Sequence, residues 1–182
     1  MLKFADNPPM LAPAAASIAE LPGSWWVAHT KARFEKALAQ DLLKRNIGYY
    51  LPMVERVRFS GGRKRRVLSP LFTSYLFFCG DAQARHAALA TDRISQVLAV
   101  RDRDQFVREL ESIRRALNFA GTVDFYPFAA VGRRCRVVSG PLAGVVGTVI
   151  ERNHQRRLVL SVSMLGQGAS LEIDADLLEA AE

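Results

Sequence analysis

Six cations crowd into eleven residues: Arg56, Arg58, Arg63, Lys64, Arg65 and Arg66, on either side of a Ser60-Gly61-Gly62 turn. Two extended runs joined by a Gly-Gly turn make a β-hairpin. A hairpin tipped in this way projects positive charge away from the body of the fold. Its chemistry is attraction to a polyanion, and nucleic acid is the polyanion that such a patch suits.

No grouping of residues points to catalysis. His29, His86 and His154 fall in different elements without metal-ligand spacing. Ser139-Gly140-Pro141-Leu142-Ala143-Gly144 lacks the Gly-Lys-Ser/Thr ending of a phosphate-binding loop, and no Gly-x-Ser-x-Gly elbow occurs. Asp102 and Asp104 read as a helix start rather than an acid/base pair. Cys79 and Cys135 lie in apolar or strand-like runs with no partner at redox or metal spacing, so both are expected as reduced thiols in a cytosolic protein. The expectation is a cytoplasmic, monomeric binding protein that is not an enzyme and has no cofactor or metal.

Charge supports this. The 182 residues carry 25 Lys and Arg against 18 Asp and Glu, a net charge of +7. The excess is segregated: residues 24–117 are strongly cationic, whereas 131–182 are neutral. The longest apolar stretches, such as Leu76–Cys79, fall far short of the roughly 20 residues of a membrane-spanning helix.

The elements that must position these residues follow from periodicity. Residues 1–22, with prolines and a weak alanine stretch, read as a disordered extension without a secretory signal. Ser24–Thr30 is strand-like, Phe34–Asn46 has helical apolar spacing, and Tyr49–Phe59 is extended. A second extended run from Arg65 to Phe78 completes the hairpin, and its Leu71–Phe78 part reads as a central strand, apolar on both faces. Asp81–Ala90 reads as a short helix with Asp81 as N-cap, Gln96–Val100 as a strand, and 104–118 as a helix with Phe106, Leu110, Ile113 and Leu117 on one stripe. After a linker over 120–130 come short strands punctuated by glycine turns. The fold class expected is α+β: an antiparallel sheet with flanking helices over 23–119, then a small all-β barrel over 131–182.

His29, Phe72, Tyr75 and Phe77 fall on neighbouring strands of a sheet covered by few helices. An aromatic face left open there would be a partner site.

The run Val131 to Val149 carries Gly140 and Gly144 bracketing a tight loop, with Gly147 in the following strand. It resembles the KOW motif of small β-barrels. Residues 24–117 resemble the NGN domain of NusG-type transcription elongation factors, on Ser24-Trp25-Trp26-Val27, Tyr50-Leu51-Pro52-Met53, Pro70-Leu71-Phe72 and Tyr75-Leu76-Phe77-Phe78. The spacing from Ser24 to Phe78 is similar to that of RfaH-like specialised paralogues. The resemblance implies that the NGN domain binds the clamp helices of the RNA polymerase β′ subunit and the β-subunit gate loop, suppressing pausing or termination. The matching patch positions are His29, Phe72, Tyr75 and Phe77, with His86 at the gate-loop region. Lys31, Arg33, Lys36 and Lys44 would face upstream or non-template DNA, with Arg63, Lys64, Arg65 and Arg66 as further nucleic-acid contacts. Asp41, among these cations, would repel phosphate. The KOW domain would recruit the Rho factor or the ribosomal protein NusE. In RfaH the corresponding segment can refold as a helical hairpin; here its β-branched valines favour strands. The alternative reading is a KOW-containing RNA-binding or ribosome-associated protein without polymerase contact, which the neutral charge of 131–182 disfavours.

Overall fold

The computed structural model describes residues 6–60, 62–119, 123–126, 132–152 and 155–181. Gly61 of the hairpin turn, His154, and most of the expected linker lie outside them. The chain forms two compact units that divide between Arg103 and Asp104. The architecture is α+β, all-antiparallel, and no described helix is long and apolar enough to cross a membrane.

In the first unit, β1 (Leu11–Ala12), β3 (Gly48–Tyr50), β6 (Tyr75–Gly80), β2 (Ser24–Thr30) and β7 (Ile94–Ala99) form one sheet in that order. Side chains alternate across a sheet, so each central strand contributes to both faces. Trp26, Ala28, Tyr49, Leu76 and Phe78 make one face, which buries Leu38, Ala39 and Leu42 of α1 (Glu35–Lys44) and Ala88 of α2 (Ala82–Leu89). Trp25, Val27, His29, Tyr50, Tyr75, Phe77 and Cys79 occupy the other. The expectation of a central strand apolar on both faces therefore holds for β6. Burial also pushes the Cys79 thiol up to about 11, and both cysteines are free and buried.

Helix ends follow local chemistry. Asp81 caps α2 as expected, its carboxylate accepting from Ala84 N–H at 2.8 Å. Asn46 ends α1: it takes a left-handed φ of +55° while Ile47 N–H reaches back to the Leu42 carbonyl and Asn46 N–H to that of Leu43, a Schellman arrangement.

Three expectations change. The Arg65–Phe78 run is two elements. Its first part, β5 (Arg63–Pro70), pairs with β4 (Met53–Ser60) as a separate two-stranded ribbon, and a corner at 71–74 precedes β6. The break is at Ser74, whose φ of +64° no strand residue adopts. Residues 6–22, expected to be disordered, are folded onto the sheet: β1 extends it beside β3, Leu51 N–H donates to the Met10 carbonyl at 2.7 Å, and Ile18 and Leu21 are buried. Within the expected linker, Val123–Tyr126 forms β8, because the edge of β12 (Gln167–Glu172) offers it a full antiparallel ladder.

The second unit contains α3 (Arg103–Phe119) from Asp104 onward and a six-stranded sheet, in the order β13 (Leu178–Ala180), β9 (Arg133–Val137), β10 (Val146–Arg152), β11 (Gln155–Val162), β12, β8. The described residues after α3 are all-β, as their β-branched content predicts.

Candidate partner and nucleic-acid interfaces

The β2–β6 register places His29 directly opposite Tyr75. Their rings lie 5.1 Å apart between centroids at 58°, a tilted aromatic pair. A bulge on β7 puts Ser95 beside His29. The Ser95 hydroxyl donates to the His29 carbonyl at 2.8 Å, and its oxygen lies 2.8 Å from His29 Nδ1. With its one hydrogen on the carbonyl, that oxygen accepts from Nδ1–H, which leaves Nε2 as the acceptor of the neutral ring.

Behind this pair, Phe72 meets Phe77 edge-on at 6.0 Å, and Phe77 lies 6.5 Å from Tyr50. The structure thus brings His29, Phe72, Tyr75 and Phe77 together but gives them different exposures. Phe72 and Phe77 are 1% and 0% exposed; His29 and Tyr75 are half-buried. Only the latter two reach the surface, with the phenylalanines as their support. His86 is not part of the cluster. It is exposed on α2, which packs on the opposite face of the sheet.

The cations also separate. Lys31, Arg33 and Lys44 are exposed on or before α1, and Lys31 pairs with Asp92 at 2.7 Å, the hydrogen bond from Lys31 holding the Asp92 carboxyl below its usual range. Lys36 departs from the expected DNA-facing set. Its ammonium donates to Asn7 Oδ1 at 2.5 Å and to the Leu68 carbonyl at 2.6 Å, so it ties the N-terminal segment and β5 to α1. Asp41 is neutralised: Arg93 Nε donates to its carboxylate, while the same guanidinium lies 5.3 Å over the Phe34 ring.

On the ribbon, Arg63, Lys64, Arg65 and Arg66 are all exposed. Phe59, directly opposite Lys64, is 76% exposed, a residue that charge counting alone passes over. Glu55 is the one carboxylate in the ribbon and lies 3.3 Å from Arg66.

In the second unit, Gly140 and Gly144 take φ of +78° and +84°, so the expected glycine loop is present. Gly147 lies where β10 and β11 approach closely: a Cβ there would stand 2.7 Å from the Val159 carbonyl oxygen of β11. Gly147→Ala is therefore expected to lower the stability of this unit by about 1–3 kcal/mol, measurable by denaturant unfolding. Sequence reasoning also missed two residues of α3. Arg115 donates to the Pro141 and Ala143 carbonyls inside the glycine loop at 2.7 and 2.9 Å, and Glu109 accepts from Ser163 N–H at 3.0 Å. Both are charges on the half-polar side of an amphipathic helix, so periodicity alone reads them as solvated.

Two parts of the chain match known families. Residues 131–161 match the KOW motif, and residues 23–117 match the family described as transcription termination factor NusG. The chain is also similar to Thermotoga maritima NusG, solved in work on domain interaction in that protein, at 17% identity over 87% of this chain and 97% of that one, with a TM-score of 0.48. With the first match covering more than half of its 182 residues and the KOW motif following in order, the chain belongs to the NusG family of transcription factors.

Proposed function

We propose that this protein is a transcription elongation and antitermination factor that binds RNA polymerase through its first domain, suppresses pausing or termination, and recruits a partner through its KOW domain. The observation that carries the reading is the half-buried His29–Tyr75 pair, which reaches the surface and is backed by buried Phe72 and Phe77. Aromatic anchors on a rigid support are the typical energetic centre of a small interface. The proposed partner is the clamp-helix region of β′, with His86 as a separate contact to the β gate loop. An NGN domain over 23–119 and a KOW domain over 131–182 are the boundaries that this function uses. Rho or NusE is the proposed KOW partner, and an RfaH-like speciality is the finer placement.

Lys31, Arg33 and Lys44, with the ribbon's Arg63, Lys64, Arg65 and Arg66, are the proposed contacts to upstream or non-template DNA. Lys36 is left out because its ammonium is held inside the fold. These contacts position the protein on the polyanion without reading sequence. Replacing Arg63, Lys64, Arg65 and Arg66 together by Gln is expected to flatten the slope of log K against log salt by about 3 to 4 for binding to duplex DNA. A slope unchanged by the substitution places the DNA elsewhere.

The test of the function is capture of core polymerase against ribosomal subunits by the purified protein, followed by the lifetime of a paused transcription complex with and without it. Binding to polymerase and a shortened pause support the proposal. Capture of ribosomal subunits alone refutes it in favour of a ribosome-associated protein.

A further inference from the structure

The corner that carries Phe72 and Tyr75 is not held by its own sequence. Phe72-Thr73-Ser74-Tyr75 is a turn in which Tyr75 N–H reaches back to the Phe72 carbonyl at 3.3 Å. Its third residue, Ser74, has a φ of +64°. A turn of this kind calls for glycine at that position, because a side chain makes the left-handed region unfavourable.

Both backbone groups of Ser74 are held from outside the turn. Its carbonyl accepts from Thr30 N–H at 2.8 Å, which anchors it to β2. Its N–H donates to Glu35 Oε1 at 2.7 Å. Glu35 is 5% exposed and opens α1, so its carboxylate is fixed by a helix that packs on the sheet through Leu38, Ala39 and Leu42. A buried carboxylate is unfavourable unless it is hydrogen-bonded. Among the described residues, the Ser74 amide is its hydrogen-bond donor. The position immediately after the held residue is Tyr75, which faces His29.

We infer that Glu35 is a positioning residue: its buried carboxylate clamps Ser74 in the left-handed conformation and so sets Tyr75 against His29 at the surface. This deepens the polymerase-binding reading and rests on it for its consequence in binding, but its geometric part can be tested alone.

In isotope-labelled full-length protein, the Ser74 amide is expected to exchange at least about ten-fold faster in Glu35→Ala than in wild type, since exchange requires the protecting bond to open. Ring contact between Tyr75 and His29 in nuclear Overhauser spectra is expected to weaken with it. Glu35→Gln, whose amide oxygen can accept the same hydrogen bond, is expected to keep both. Affinity for core polymerase should follow: about ten-fold weaker for Glu35→Ala and within about three-fold of wild type for Glu35→Gln. In a Ser74→Gly background the added Glu35→Ala loss is expected to shrink below about three-fold, because glycine holds a positive φ without a clamp. A change that acts only on general stability would not be relieved by Ser74→Gly. If Glu35→Ala fails to fold, Glu35→Asp, one methylene short of the Ser74 amide, gives the same comparison.

Unchanged exchange at Ser74 overturns the inference, as does a binding loss equally large in the Ser74→Gly background. If wild type does not bind polymerase at all, the functional reading falls, and amide exchange with the Tyr75–His29 ring contact decides for or against Glu35 on its own.

Discussion

A protein carrying His29→Ala and Tyr75→Ala binds core RNA polymerase at least about thirty-fold more weakly than wild type, the roughly 2 kcal/mol of one aromatic anchor. That is the expected result, and it follows from exposure. These two rings are the members of the aromatic cluster that reach the surface. Because both are only half-buried, truncation leaves the core intact, and the melting temperature is expected to fall by less than about 10 °C. The experiment compares dissociation constants for the two proteins with matched circular-dichroism melts. Equal affinity in a folded double variant would remove this patch from the proposed interface. A variant with His86→Ala is the control for independence: since α2 packs on the opposite face of the sheet, its effect should add to that of the double variant rather than overlap it.

The second large effect concerns stability, not contact. Phe72 is 1% exposed and braces Phe77 edge-on. Phe72→Ala removes a buried ring and leaves a cavity beside Phe77, for an expected loss of about 3–5 kcal/mol. In a unit of this size that corresponds to a fall in melting temperature on the order of 15 °C. Loss of polymerase binding by this variant is expected to follow from its unfolding rather than from a lost contact, because Phe72 is buried. Chemical denaturation read beside binding separates the causes: at a temperature where Phe72→Ala is still folded, its affinity should lie nearer wild type than that of the His29/Tyr75 double variant. The reverse ranking would make Phe72 a direct contact. The family resemblance alone treats Phe72 and Tyr75 alike; the structure gives them different roles.

Much of the fold was legible because its signals are local. Runs of strand-forming residues, apolar on both faces, put β2 and β6 in the sheet, the 4-3-4 spacing of apolar residues built α3, and Asp81 capped α2 as read. Gly140 and Gly144 marked their loop because few other residues tolerate a positive φ there. Ser74 carries no such signal, so the corner before β6 was invisible: a serine in the left-handed region is stabilised by Thr30 and Glu35, far away in the chain. The N-terminal segment misled for a similar reason. Its prolines and alanines lack periodicity, yet the free edge of β3 and the side chain of Lys36 give it partners. Val123–Tyr126 is too short to read as a strand without the β12 edge beside it.

The sequence by itself determined the three helices and the central strands of the first sheet, the segregation of charge, the glycine-bracketed KOW loop and the set of aromatic and cationic residues available for binding. These depend on residues within about four positions of one another, and the chain carries that information directly. Only the tertiary structure decided which members of the set are usable. It buried Phe72 and Phe77 behind His29 and Tyr75, and placed His86 on the helix of the opposite face. It also fastened Lys36 to a carbonyl 32 residues away and neutralised Asp41 with an arginine 52 residues away. Whether a charge is free or an aromatic is exposed depends on partners brought near by folding, and no local pattern encodes them.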